Sequence, residues 1–140
     1  MNDERHTEFP TAQILIVEDQ TPLAMTMVHV LSQAGCNVVV ANTGKQGMEL
    51  ARENRFDLIA LETDLLDANA FEIAYDLKKR HISRRTPIVF IGGRPPEEGK
   101  QRSQKLGSAD YVNEPFDVPK FTSLVLARVR RQAKEVSFDL

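Results

Sequence analysis

The 140 residues, 41% hydrophobic and 27% charged, suffice for one core of ordinary size. A net charge of −2 provides no electrostatic footprint for nucleic acid, and no apolar run is long enough to span a bilayer, so neither is expected as a partner. The single Cys36 rules out an internal disulfide and suits a reducing compartment, and the charged opening MNDERHTEFP lacks the apolar core of a signal peptide, so a cytoplasmic protein is expected.

Residues 1–12 are charged and aperiodic and read as a mobile leader. The run Ile14-Leu15-Ile16-Val17 reads as a strand buried on both faces, and it ends in Glu18 and Asp19. Thr21 and Pro22 supply an N-cap and a first-turn proline, after which Leu23, Met27, Val30, Leu31 and Ala34 recur at helical spacing until Gly35. Val38-Val39-Val40 is the second strand. Thr43-x-x-Gln46 has the form of a capping box opening a helix through Met48, Leu50 and Ala51. A phosphate loop around Gly44-Lys45 is rejected, because the position that needs the earlier glycine is Val39.

The third strand, Leu58-Ile59-Ala60-Leu61, stops at Glu62, with Asp64 and Asp67 following. Phe71, Ala74 and Leu77 mark a helix ending near His81, and Pro87 to Ile91 form the fourth strand, closed by Gly92-Gly93. Residues 94–105 are the weakest stretch. Pro95-Pro96 can start a helix, but Gly99 interrupts it and no apolar stripe precedes Leu106, so poor packing is predicted. Ala109 to Val112 is the fifth strand. Asp117-Val118-Pro119 opens a last helix that buries Phe121, Leu124, Val125 and Val129 and carries Arg128, Arg130, Arg131 and Lys134 towards its end.

Five strands alternating with five helical segments predict one doubly wound α/β domain over residues 13–131, helices on both faces, followed by a tail at 132–140. In the strand order 2-1-3-4-5 the carboxyl ends of the first, third and fifth strands deliver Glu18, Asp19, Glu62 and Glu114 to one crevice. Like charges at that spacing predict that at least one carboxyl keeps its proton above its ordinary pKa, or that a cation is bound.

The motifs ILIVED, FDLIAL, TPIVFI, LGSADYVNEPF and LARVRR, in that order and spacing, resemble the CheY-like receiver domain of bacterial two-component response regulators, over about residues 13–131. The resemblance implies a flavodoxin-like fold and an Asp at the end of the third strand that accepts a phosphoryl group. It also implies Mg²⁺ held by the acids after the first strand, and a hydroxyl and a Lys that hold the phosphoryl oxygens. Such transfer rests almost wholly on positioning and charge stabilisation. The acceptor position here is Glu62, the hydroxyl position is Gly92 and the Lys position is Glu114. The longer Glu62 displaces its carboxylate by about 1 Å, an error that can cost on the order of 100-fold. Gly92 supplies no hydroxyl, and Glu114 turns an attraction into a repulsion. The Pro and Gly that usually follow the acceptor are Leu66 and Ala70.

Tyr111 occupies the aromatic switch position of the family. With Gly92 offering no hydroxyl, it reads as a surface aromatic in a contact patch or, about equally, as a merely half-buried strand residue. The reading is therefore an atypical receiver that signals through protein contacts and is not an enzyme. A phosphoacceptor using Glu62 or Asp64 with Mg²⁺ is the alternative. A divalent-metal hydrolase is the weaker one, since His6, His29 and His81 fall away from the strand ends. No cofactor is required. Mg²⁺ or Ca²⁺ could sit among Glu18, Asp19, Glu62 and the backbone carbonyl of Asp64, the positions that match the family's metal ligands. The expected partner is a histidine kinase, an output domain or a second copy. LARVRR resembles the last helix of OmpR-like receivers, which pair through the fourth helix, fifth strand and fifth helix, with Asp110 and Arg128 suited to a cross-subunit ion pair.

Overall fold

A computed structural model describes residues 11–93, 97–106 and 109–138. The elements follow in strict alternation: β1 (Gln13–Val17), α1 (Thr21–Gln33), β2 (Asn37–Ala41), α2 (Gly44–Glu53), β3 (Leu58–Glu62), α3 (Ala70–Lys78), β4 (Ile88–Gly92), α4 (Glu97–Lys105), β5 (Ala109–Asn113) and α5 (Val118–Phe138). The strands are all parallel, in the order β2-β1-β3-β4-β5. This is the predicted doubly wound sheet.

Burial explains why the strands were readable. β3 and β4 lie in the middle, and every residue of both is buried, which is why their sequences are unbroken apolar runs. Successive side chains point to opposite faces. Leu15, Val17, Ile59, Leu61, Ile88 and Phe90 pack on one face with Ala51 of α2 and Ile73, Ala74 and Leu77 of α3. On the other face Ile14, Ile16, Leu58, Ala60, Val89 and Ile91 pack against Met27 and Leu31 of α1 and Phe121 and Val125 of α5. Cys36 is buried in this second layer.

Several local expectations shift. Gln20, not Thr21, holds the N-cap position of α1, and its backbone N–H donates to Glu18 Oε2 at 3.1 Å, so the chain turns into the helix one residue early. The Thr43 cap is present, with Gln46 N–H donating to Thr43 Oγ1 at 3.1 Å, but the Gln46 side chain returns to the N–H of Asn42. α3 ends at Lys78, short of His81, and the Ser83 hydroxyl donates to the Leu77 carbonyl at 2.6 Å. Ala12, assigned to the leader, is buried and its carbonyl accepts from Asn37 N–H, so order begins before residue 13. α5 continues through the expected boundary at 131 as far as Phe138.

The largest correction concerns residues 97–105, which form a helix despite Gly99. That glycine is buried, and a Cβ there would stand 2.9 Å from Phe71 Cε2. Gly99 is a close-packing position between α4 and α3, not an interruption. The expectation for Pro95-Pro96 lies outside the described residues.

Candidate functional site

The strand register gathers the acids at the carboxyl edge of the sheet. Val17 pairs with Leu61 and Glu62 with Ile91, so Glu18, one residue past β1, stands beside Glu62. Gly92 pairs with Asn113, which brings Glu114 to the same edge. Carboxylate oxygens of Glu62, Asp64 and Glu114 lie within 4.8 Å of one another. Glu62 is 3% exposed and its Oε1 accepts the N–H of Asp64 at 3.0 Å, whereas Asp64 and Glu114 face solvent.

Glu18 is the most deeply placed acid, at 1% exposure. Its Oε2 takes the Gln20 N–H, while its Oε1 has no hydrogen-bond donor. Burial first, and the facing Glu62 carboxyl second, push its pKa up to about 8. Glu62 is also raised, again chiefly by burial, with its hydrogen bonds to Glu18 and Asp64 pulling the other way. Both shifts favour a proton shared by the pair, which gives the bare Glu18 oxygen a bond to make. The expectation of a retained proton holds, but its leading cause is desolvation and not the crowding of charges.

One expected member, Asp19, is tied elsewhere, and a nearby acid caps a helix. Asp19 Oδ2 accepts the N–H of Leu66 at 3.1 Å, tying the end of β1 to the loop after β3. Asp67, in the same acidic run, caps α2: its two oxygens accept from Gly44 at 2.8 Å and Lys45 at 3.1 Å, and these bonds hold its carboxyl below the usual range.

A divalent ion is implied by the family resemblance, and the residues present fit one. The donors are all hard oxygens, and the partnerless Glu18 Oε1 requires either a proton or a cation. Glu62, Asp64 and Glu114 would hold the ion, with Glu18 behind Glu62, and its charge would neutralise the cluster. The Asp64 contribution is its side-chain carboxylate, where the resemblance points to its backbone carbonyl.

Replacing Glu114 with Lys puts a cation beside Glu62 and Asp64. In chelator at pH 7 the variant is expected to unfold in urea with about 0.5–1 kcal/mol more stability than the parent, a modest gain because solvent screens the exposed position. The gain should shrink as pH falls and the acids protonate. A less stable variant would mean that Glu114 does not share the site.

Tyr111 follows the half-buried one of its two readings, and its hydroxyl finds partners that neither reading foresaw. Its ring is half-buried and turned inward, 6.0 Å from the Phe90 ring, and its hydroxyl stands 2.8 Å from the Gly93 carbonyl and 3.3 Å from Thr63 Oγ1. Burial raises its phenol pKa. The surface-patch reading gives way to an inward contact because a hydroxyl is available after all, from Thr63, which the sequence reading did not single out. Asp110 and Arg128, expected to pair between copies, form a two-pronged fork within one chain, with Nε–Oδ2 at 2.6 Å and Nη2–Oδ1 at 2.8 Å. The guanidinium reaches back from α5 to the neighbouring strand, so neither charge waits for a partner.

A parallel sheet in this order, with acids at its strand ends and an aromatic beside them on β5, defines the receiver class of signalling domains. The pattern of the response regulator receiver domain matches residues 14–126, and the chain belongs to that family. It is similar to the response regulator ArlR of Staphylococcus saprophyticus, 31% identical over 128 residues that cover 91% of this chain and 57% of that protein. It is also similar to the cell cycle response regulator CtrA of Brucella ovis, 28% identical over 119 residues, 85% of this chain and 50% of that one. The chain thus spans about half the length of the curated relatives it matches. The crystal structure of a CheY-like receiver domain protein from Methanospirillum hungatei JF-1 superposes with a TM-score of 0.83 at 21% identity, covering 90% of this chain and 99% of that one. Among the described residues no helix is long and apolar enough to cross a membrane.

Proposed function

We propose that this receiver domain signals by contact and not by phosphoryl transfer. It is an atypical receiver of a two-component or phosphorelay system in the cytoplasm, engaging a histidine kinase or an output domain, or a second copy through α4, β5 and α5. The observation that carries this reading is the Glu114 carboxylate, which stands with Glu62 and Asp64 where the family resemblance calls for a Lys. A phosphoryl group brought to Glu62 would meet an anion at that side, and repulsion in a partly desolvated crevice is costly. Burial raises the pKa of Glu62 and so draws it towards its neutral form, a poorer nucleophile than the carboxylate, against the pull of its hydrogen bonds to Glu18 and Asp64. Among the described residues the histidines do not favour hydrolytic chemistry, since His29 lies midway along α1 and His81 beyond the far end of α3, while the expectation for His6 lies outside the described residues.

The test is incubation with acetyl phosphate and Mg²⁺ followed by intact mass measurement under mild conditions. The parent mass is expected to be unchanged. A phosphoryl adduct that disappears in a Glu62→Gln variant would overturn the reading.

A further inference from the structure

We infer that Thr63 supplies the hydroxyl that latches Tyr111 inward and that Gly92 makes room for it, so that the position of the β5 aromatic is fixed by the fold and does not wait on chemistry at Glu62. This goes beyond the proposed function, since the latch is defined by packing whether or not Glu62 accepts a phosphoryl group.

Thr63 is held in place by β4. Its backbone N–H donates to the Ile91 carbonyl at 2.9 Å, and its hydroxyl lies 3.4 Å from the same oxygen. The volume its hydroxyl fills is the one a side chain at position 92 would claim: a Cβ on Gly92 would stand 2.0 Å from Thr63 Oγ1, 2.9 Å from Glu62 Oε1 and 3.3 Å from Thr63 Cβ. A hydroxyl can therefore come from residue 63 or from residue 92, but the two exclude each other. Tyr111 then closes the arrangement, with its hydroxyl reaching both Thr63 Oγ1 and the Gly93 carbonyl. Below the ring lies Phe90, itself stacked against Phe71 with ring centres 4.7 Å apart. Swinging the ring outward would expose Phe90 and strip a partner from two polar groups at once, so the inward state is favoured by apolar burial and hydrogen bonding together.

Two measurements test the latch. The chain has two tyrosines and no tryptophan, so in a Tyr75→Phe background fluorescence reports on Tyr111 alone. Thr63→Val keeps the shape and removes the hydroxyl. It is expected to raise the outward population of the ring about fivefold, the equilibrium value of one neutral hydrogen bond, and so increase quenching by acrylamide. The second measurement is a double-mutant cycle. Gly92→Ser alone is expected to lower the folding equilibrium constant on the order of 10- to 100-fold by overpacking. In a Thr63→Ala background the loss should be clearly smaller, because the strain of a side chain at φ +155° and the approach to Glu62 Oε1 are common to both arms and only the 2.0 Å clash with Thr63 Oγ1 differs. Equal cost of Gly92→Ser in the two backgrounds, including failure to fold in both, would overturn the latch. So would quenching of Thr63→Val no greater than that of its Tyr75→Phe parent.

Discussion

In chelator, the stability of this domain towards urea is expected to fall as pH rises from about 5 to about 8, and Glu18 is expected to be the main cause. An unfolded Glu titrates near 4.5, while the folded Glu18 titrates at about 8. Between those values the native state binds more protons than the unfolded chain, so every rise in pH removes stability. The contribution is complete below the unfolded value and lost above the folded one. Each pH unit in that window is worth roughly 1.4 kcal/mol, and the whole loss should be on the order of 3 kcal/mol. A Glu18→Gln variant cannot ionise there. It should show a much flatter profile and exceed the parent in stability at pH 8. Mg²⁺ should restore the parent more at pH 8 than at pH 5.5, since its charge beside Glu62 offsets the ionised cluster that forms as Glu18 loses its proton. If Glu18→Gln keeps the parent's slope, the proton sits elsewhere.

Phe90→Ala is expected to cost about 3–5 kcal/mol, the usual penalty for removing a fully buried aromatic and leaving its cavity. Phe90 is completely buried in the central β4, touching Phe71 on one side and Tyr111 on the other. The same change withdraws the floor under Tyr111, so the variant that remains folded should also show a more exposed phenol. Urea unfolding gives the first quantity and acrylamide quenching in the Tyr75→Phe background the second. A loss below about 1 kcal/mol would mean that the neighbouring rings collapse into the space almost without penalty.

Much of this architecture can be read from unbroken apolar runs. Leu58 to Leu61 and Ile88 to Ile91 are buried on both faces because they lie mid-sheet, and their abrupt ends locate Glu62 and Gly92 without any knowledge of the tertiary structure. Thr43 is equally plain, because a cap acts within four residues of itself. What escaped depends on contacts between distant segments. Thr63 follows the acid with no pattern to mark it, and its role exists because Gly92, on another strand, lacks a Cβ. Gly99 reads as a helix breaker until Phe71 is laid against it. Asp67 has no role assigned from the sequence, yet it serves the start of α2, 22 and 23 positions away in the chain. Composition could reveal the charge of the crevice but not that burial of Glu18 would dominate its titration.

The fork between Asp110 and Arg128 bears on how two copies could associate. A symmetric pair that exchanged these side chains would break one fork in each chain and form the same two across the interface, with matching donors and acceptors on either side of the equilibrium. The exchange adds almost nothing to the association constant, and ionic strength would weaken both states alike. Self-association through this face would then have to draw its strength from contacts other than this fork.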